Sequence, residues 1–171
     1  YVEASLRADL AQVRSKVLAM RKDKTTPDTR LADDPMKYNP ASVASLVRLA
    51  CGGLPTNKQG LVLHSRLRYF DPIKRRAGLP EDCAALIERL EADTTSVTLV
   101  NTNQLESRTV TIQAGSYAEH SIELVSTGDR DYTITGRSIT VKLTPGCGKT
   151  LHLLTPRNTK TPTLAFPWTQ R

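Results

Sequence analysis

No apolar run in this 171-residue sequence approaches the roughly 18 residues that a membrane-spanning helix requires. That argues against a transmembrane role. The opening residues, Tyr1-Val2-Glu3-Ala4, lack the basic stretch followed by an apolar one that marks a signal peptide. They also lack an initial Met, which points to a fragment, a processed chain or one domain of a larger protein. Cysteine is sparse: Cys51, Cys83 and Cys147 form no C-x-x-C pair, and no histidine sits at a metal-ligand offset from them. No metal site and no cofactor is expected. The odd count argues against a disulfide framework, so the thiols read as small buried hydrophobes. The compartment stays open.

Catalytic patterns are missing as well. There is no G-x-S-x-G nucleophile elbow. The three histidines, His64, His120 and His152, fall in separate segments without an acidic partner at a recognisable spacing. Glu119 precedes His120, but neighbours in a strand point to opposite faces. Asp33-Asp34 and Glu81-Asp82 adjoin prolines, and the second pair suits a helix start better than acid–base work. Gly148-Lys149-Thr150 resembles the end of a phosphate-binding loop, yet the first glycine of that motif would stand where the chain has Leu143. The residues after it, LHLLT, alternate like a strand, and only 21 residues follow Thr150. Pro145-Gly146 therefore reads as a hairpin turn between two strands.

The composition that remains is ordinary for a soluble globular protein, at 39% hydrophobic and 24% charged. The net charge of +7 divides evenly. Residues 1–93 hold 16 Lys/Arg against 12 Asp/Glu, and residues 94–171 hold 8 against 5. Neither part is a basic block, so nucleic acid is a secondary partner candidate.

Periodicity divides the chain in two. Leu6, Leu10, Val13, Val17 and Met20 make one apolar stripe of a helix that ends near Lys22–Lys24. That stripe packs on its own domain or on a partner helix. A second helix is predicted over 41–50, stopped by Cys51-Gly52-Gly53-Leu54-Pro55. Residues 60–64 are too short to assign. Pro80 predicts a third helix, with Glu81 and Asp82 in its first turn and Ala84, Leu86, Ile87 and Leu90 inward. After residue 93 the pattern becomes β-branched and alternating. Strands are predicted at 96–100, 108–112, 120–125, 131–135, 138–143 and 150–154, with a further one at 163–166. The fold class is α+β: a helical segment, 1–93, followed by an antiparallel β-sandwich, 94–171. The helical segment also reads as the tail of a larger preceding domain.

Residues 66–80, RLRYFDPIKRRAGLP, concentrate the charge. Arg66, Arg68, Tyr69, Asp71, Arg75 and Arg76 are candidate binding residues, because arginine forks suit carboxylate or phosphate. Trp168, with Phe166 and Tyr117, is a candidate stacking platform for sugars or bases.

The strand segment carries a resemblance. Val97, Val100 and Asn101 fit a "V-x-x-V-N" strand. Arg108, Val110 and Ile112 fit an "R-x-V-x-V" strand. Val141, Leu143, Pro145, Gly146, Gly148 and Leu151 fit "x-V-x-L-x-P-G-x-G-x-x-L". Residues 96–154 thus resemble the C-terminal β-sandwich accessory domain of large bacterial multidomain enzymes, especially carbohydrate-active ones. The resemblance implies a non-catalytic accessory or assembly module with no complete active site of its own. Its partner would be the rest of a larger chain, a partner subunit or a second copy. The alternatives are a basic nucleic-acid- or polyanion-binding protein and a small hydrolase with a site assembled from scattered residues.

Overall fold

The computed structural model describes residues 1–30, 44–53 and 64–169. The chain forms two units, Tyr1–Leu46 and Val47–Arg171. The first contains α1 (Val2–Lys22), a 3-10 turn at Pro27–Arg30 and the start of α2 (Ala44–Cys51). α1 covers the predicted helix, but none of its residues is buried, and Leu6, Leu10 and Met20 of the predicted stripe are exposed. Its ends suit the helix dipole, with Glu3 in the first turn and Arg21 and Lys22 in the last. The carboxylate of Asp9 accepts the backbone N–H of Ser45 at 3.1 Å. Residues 41–43 of the second predicted helix, and 60–63 of the unassigned segment, lie outside the described residues. No helix among the described residues is long and apolar enough to cross a membrane.

The second unit is an antiparallel β-sandwich. Its strands are β1 (Leu67–Asp71), β2 (Arg76–Ala77), β3 (Cys83–Leu90), β4 (Thr94–Asn101), β5 (Arg108–Ala114), β6 (Ile122–Ser126), β7 (Asp131–Gly136), β8 (Ser138–Leu143) and β9 (Gly148–Leu154). One sheet has the order β2-β1-β5-β8 and the other β3-β4-β9-β6-β7. Alternation builds the core. Val97 and Leu99 of β4 and Leu151 and Leu153 of β9 meet Leu67, Tyr69, Val110, Ile112 and Leu143 of the facing sheet, all buried. The fold class is the predicted one, and the six strands after residue 93 fall where their alternation puts them.

Three predictions fail before that point or at its end. Residues 83–90, predicted as helix, pair with β4 from Cys83↔Asn101 to Leu90↔Thr95. Asp82 has φ +60, a left-handed conformation that cannot sit in the first turn of an α-helix. Cys83, Ala85 and Ile87 then pack at the core with period two, and sheet pairing overrides the helix propensity of Ala, Leu and Glu. The sheets therefore start at Leu67, well before the predicted boundary at 93/94. Residues 163–166 join no sheet. They lead instead into a 3-10 turn at Pro167–Thr169.

The Pro145-Gly146 turn is also not a hairpin. β8 and β9 belong to opposite sheets, so the turn carries the chain across the sandwich. Gly146 has φ +64, and a Cβ there would meet the Gln104 amide at 2.8 Å. The Asn101 amide holds this end. It donates to the Glu106 and Thr144 carbonyls at 2.8 and 3.1 Å and accepts the Asn103 N–H at 3.0 Å.

Candidate functional site: an aromatic–arginine platform

Successive residues of β1 point to opposite faces of its sheet. Leu67 and Tyr69 enter the core, so Arg68 and Phe70 face outward. Phe70 is nevertheless 2% exposed. The segment after β9 covers it, bringing Phe166 and Trp168 edge-on to the Phe70 ring, each with a 6.0 Å centroid separation. Those two rings stack on one another at 4.9 Å with a 6° interplanar angle. Phe166 remains 41% exposed. The Arg68 guanidinium lies 5.1 Å from the Phe70 ring centre, and that of Arg75 lies 6.0 Å from the Trp168 ring centre.

Several contacts keep this segment in place. The Thr163 N–H donates to the Tyr117 carbonyl at 2.7 Å. The Arg137 guanidinium donates to the Ala118 and Thr161 carbonyls at 2.9 and 2.6 Å, tying the segment to the β5–β6 loop. Arg68 donates to the Ser116 carbonyl of the same loop at 3.0 Å. Arg75 occupies the β1–β2 turn with φ +50, an unusual conformation for a side-chain-bearing residue.

The structure divides the predicted binding residues. Arg68, Arg75 and Trp168 converge on the platform. Tyr69 does not: it is buried in the core, and its hydroxyl donates to the Ala50 carbonyl of α2. Burial raises its phenol pKa well above the ordinary value. Asp71 is buried too, and accepts the backbone N–H groups of Ile73 and Lys74 at 3.1 and 3.0 Å, shaping the turn. Arg76 approaches Asp71 at 3.6 Å and donates to the Leu79 carbonyl. Arg66 points elsewhere, donating to the Glu91 and Ala92 carbonyls. Tyr117, expected in the platform, makes no ring contact with Phe166 or Trp168 among the described residues. Phe70 is the member that sequence reasoning left out, and its signal was parity opposite to Tyr69 on β1.

Beyond the β1–β2 turn lies a cleft of about 520 Å³, lined by Ile73, Lys74, Glu81, Arg108, Thr109 and Lys142 among others. Most of its charge is internally neutralised. Lys74 pairs with Glu81 at 2.6 Å, and Arg108 bridges Asp82 and Glu106 at 2.8 and 2.6 Å. Lys74 lowers the Glu81 pKa, the Asn103 amide and then Arg108 lower that of Asp82, and Glu106 and Asp82 raise that of Arg108. Glu81 and Asp82, expected at a helix start, are thus partners of cations across the sandwich end.

The polar clusters elsewhere are modest. Ser96 Oγ lies 2.8 Å from His152 Nδ1 across β4 and β9, and no carboxylate bonds to His152 among the described residues. Glu119 and His120 precede β6 rather than lying in it, so their side chains approach to 3.9 Å. Among the described residues no three His, Cys, Asp or Glu side chains gather as a metal ion would need.

A scan against protein-family models, a search of curated proteins and a search of solved structures each found no match to this chain. The platform geometry is therefore the main guide to function.

Proposed function

We propose that this chain is a non-catalytic accessory or assembly module of a larger multidomain enzyme, carbohydrate-active in type. Its β-sandwich binds through the Phe166–Trp168 platform. The observation that carries this reading is the stacked ring pair itself. Two aromatic rings are held at the surface by a buried third ring and flanked by arginines. A flat aromatic face suits the apolar face of a sugar ring, and the neighbouring guanidinium donates to hydroxyl or carboxylate oxygens. The resemblance of residues 96–154 to accessory domains points the same way.

The polyanion alternative draws less support. It needs unpaired, clustered cations, whereas Arg66, Lys74, Arg76 and Arg108 bond within the fold. Affinity electrophoresis of the intact chain through gels containing neutral or acidic polysaccharides tests the proposal. Retardation by at least one polysaccharide is expected, and Trp168→Ala should weaken it at least about tenfold. Equal mobility in every gel, with binding to heparin that collapses as salt rises, would favour the polyanion reading.

A further inference from the structure

The sandwich is open along one side. β7 and β8 are the outermost strands of the two sheets there, joined through Arg137. Between them lies a cleft of about 420 Å³, a size typical of small-molecule sites. Its walls combine Val125, Ile134, Ile139, Val141 and Leu151 with Tyr132 and three threonines, Thr127, Thr133 and Thr140. Val125 and Leu151 are buried, whereas Tyr132 is 46% exposed. The cleft is thus a place where the hydrophobic core meets solvent without a covering strand.

Two lysines, Lys142 and Lys149, also line it. Neither makes an ion pair or side-chain hydrogen bond among the described residues. Lys142 lies on edge strand β8, where a charge also deters unwanted strand pairing. Lys149 differs in the face it takes. It lies on β9 opposite Leu99 of β4, outside the three residues, His152 to Leu154, through which β9 pairs with β6. It also shares the parity of Leu151 and Leu153, the core-facing set. A lysine on the inward register brings positive charge to the cleft.

We propose that this lateral cleft binds a small amphipathic anion, a medium-length acyl chain carrying a carboxylate. The chain would lie against Ile134, Ile139 and Val141. The carboxylate would meet the Lys149 ammonium in charge-assisted hydrogen bonds. An apolar lining with a few convergent polar groups is the general pattern of such sites. This site is separate from the aromatic platform and does not depend on the function proposed for it.

Isothermal titration of the full chain with decanoate, decanol and decyltrimethylammonium tests the proposal. One decanoate site per chain is expected. Decanol should bind at least about tenfold more weakly, and the cation not measurably. Lys149→Met keeps the aliphatic stem and should lower decanoate affinity at least about tenfold, whereas Lys149→Arg should retain most of it. Trp168→Ala should leave it unchanged. Absence of decanoate binding would overturn the proposal, as would equal affinity for decanol or an unaffected Lys149→Met variant. Binding to phosphatidylglycerol vesicles without binding of free decanoate would also overturn it, in favour of a membrane surface.

Discussion

His120 is buried beside the loop that anchors the platform segment, and its Nδ1 accepts the Asn158 N–H at 3.1 Å. Burial lowers its pKa below the ordinary 6.5, with Glu119 opposing. Accepting from a backbone N–H likewise needs the neutral ring. The unfolded chain therefore binds more protons than the folded one just below pH 6.5. This contribution to stability is fully present above the unfolded pKa and is lost as pH falls through 6.5 toward the folded value. Urea unfolding at pH 7.5 and pH 5.5 should show lower stability at the acid end, and His120→Gln should flatten that difference. Phe70 supports the platform from beneath. Phe70→Ala should cost about 3–5 kcal/mol by urea unfolding and should also weaken polysaccharide binding, although Phe70 itself is buried. A stability loss without a binding loss would separate the platform from its supposed support. Parity explains why this residue was hard to find. Tyr69 and Phe70 are adjacent in sequence, and only the register of β1 with β5 decides which ring enters the core.

Among the elements, β4 to β9 were legible because alternation of Val, Ile, Leu and Thr has one good reading. β3 was not. Its CAALIERL sequence suits a helix locally, and only the seven partners it finds on β4 make it a strand. The site was legible only in part for a related reason. Arg66, Arg68, Arg75 and Arg76 are close in sequence, but strand parity and a tight turn send them to different surroundings. The loop after β4 offers a sharp test of its own. Asn101 is fully buried and satisfies two carbonyls and one N–H. Asn101→Leu leaves those groups unpaired and should cost about 3 kcal/mol by urea unfolding. A near-neutral result would mean that water replaces the side chain.

At the scale of the whole molecule, the boundary between the two units falls inside α2, and the last residues of that helix belong to the β unit. Ala50 and Cys51 pack at the core, and the Arg66 N–H donates to the Cys51 carbonyl at 2.9 Å. A Cβ on Gly53 would meet the His64 carbonyl at 1.9 Å. A chain beginning at residue 44 should therefore keep the β-rich circular dichroism and a single cooperative unfolding transition. Gly53→Ala should lower the stability of that shortened chain and of the full chain alike. Loss of cooperative folding on truncation would show that the sandwich depends on residues 1–43.

The sequence contains a single tryptophan, Trp168, and it lies in the platform. Its emission reports the site without a label. Titrating the intact chain with the polysaccharide that most retards it should give a saturable change in tryptophan emission, and Arg75→Ala should move the midpoint at least about tenfold higher. Saturable binding with unchanged emission and an unshifted Arg75→Ala midpoint would place the ligand elsewhere and contradict the account.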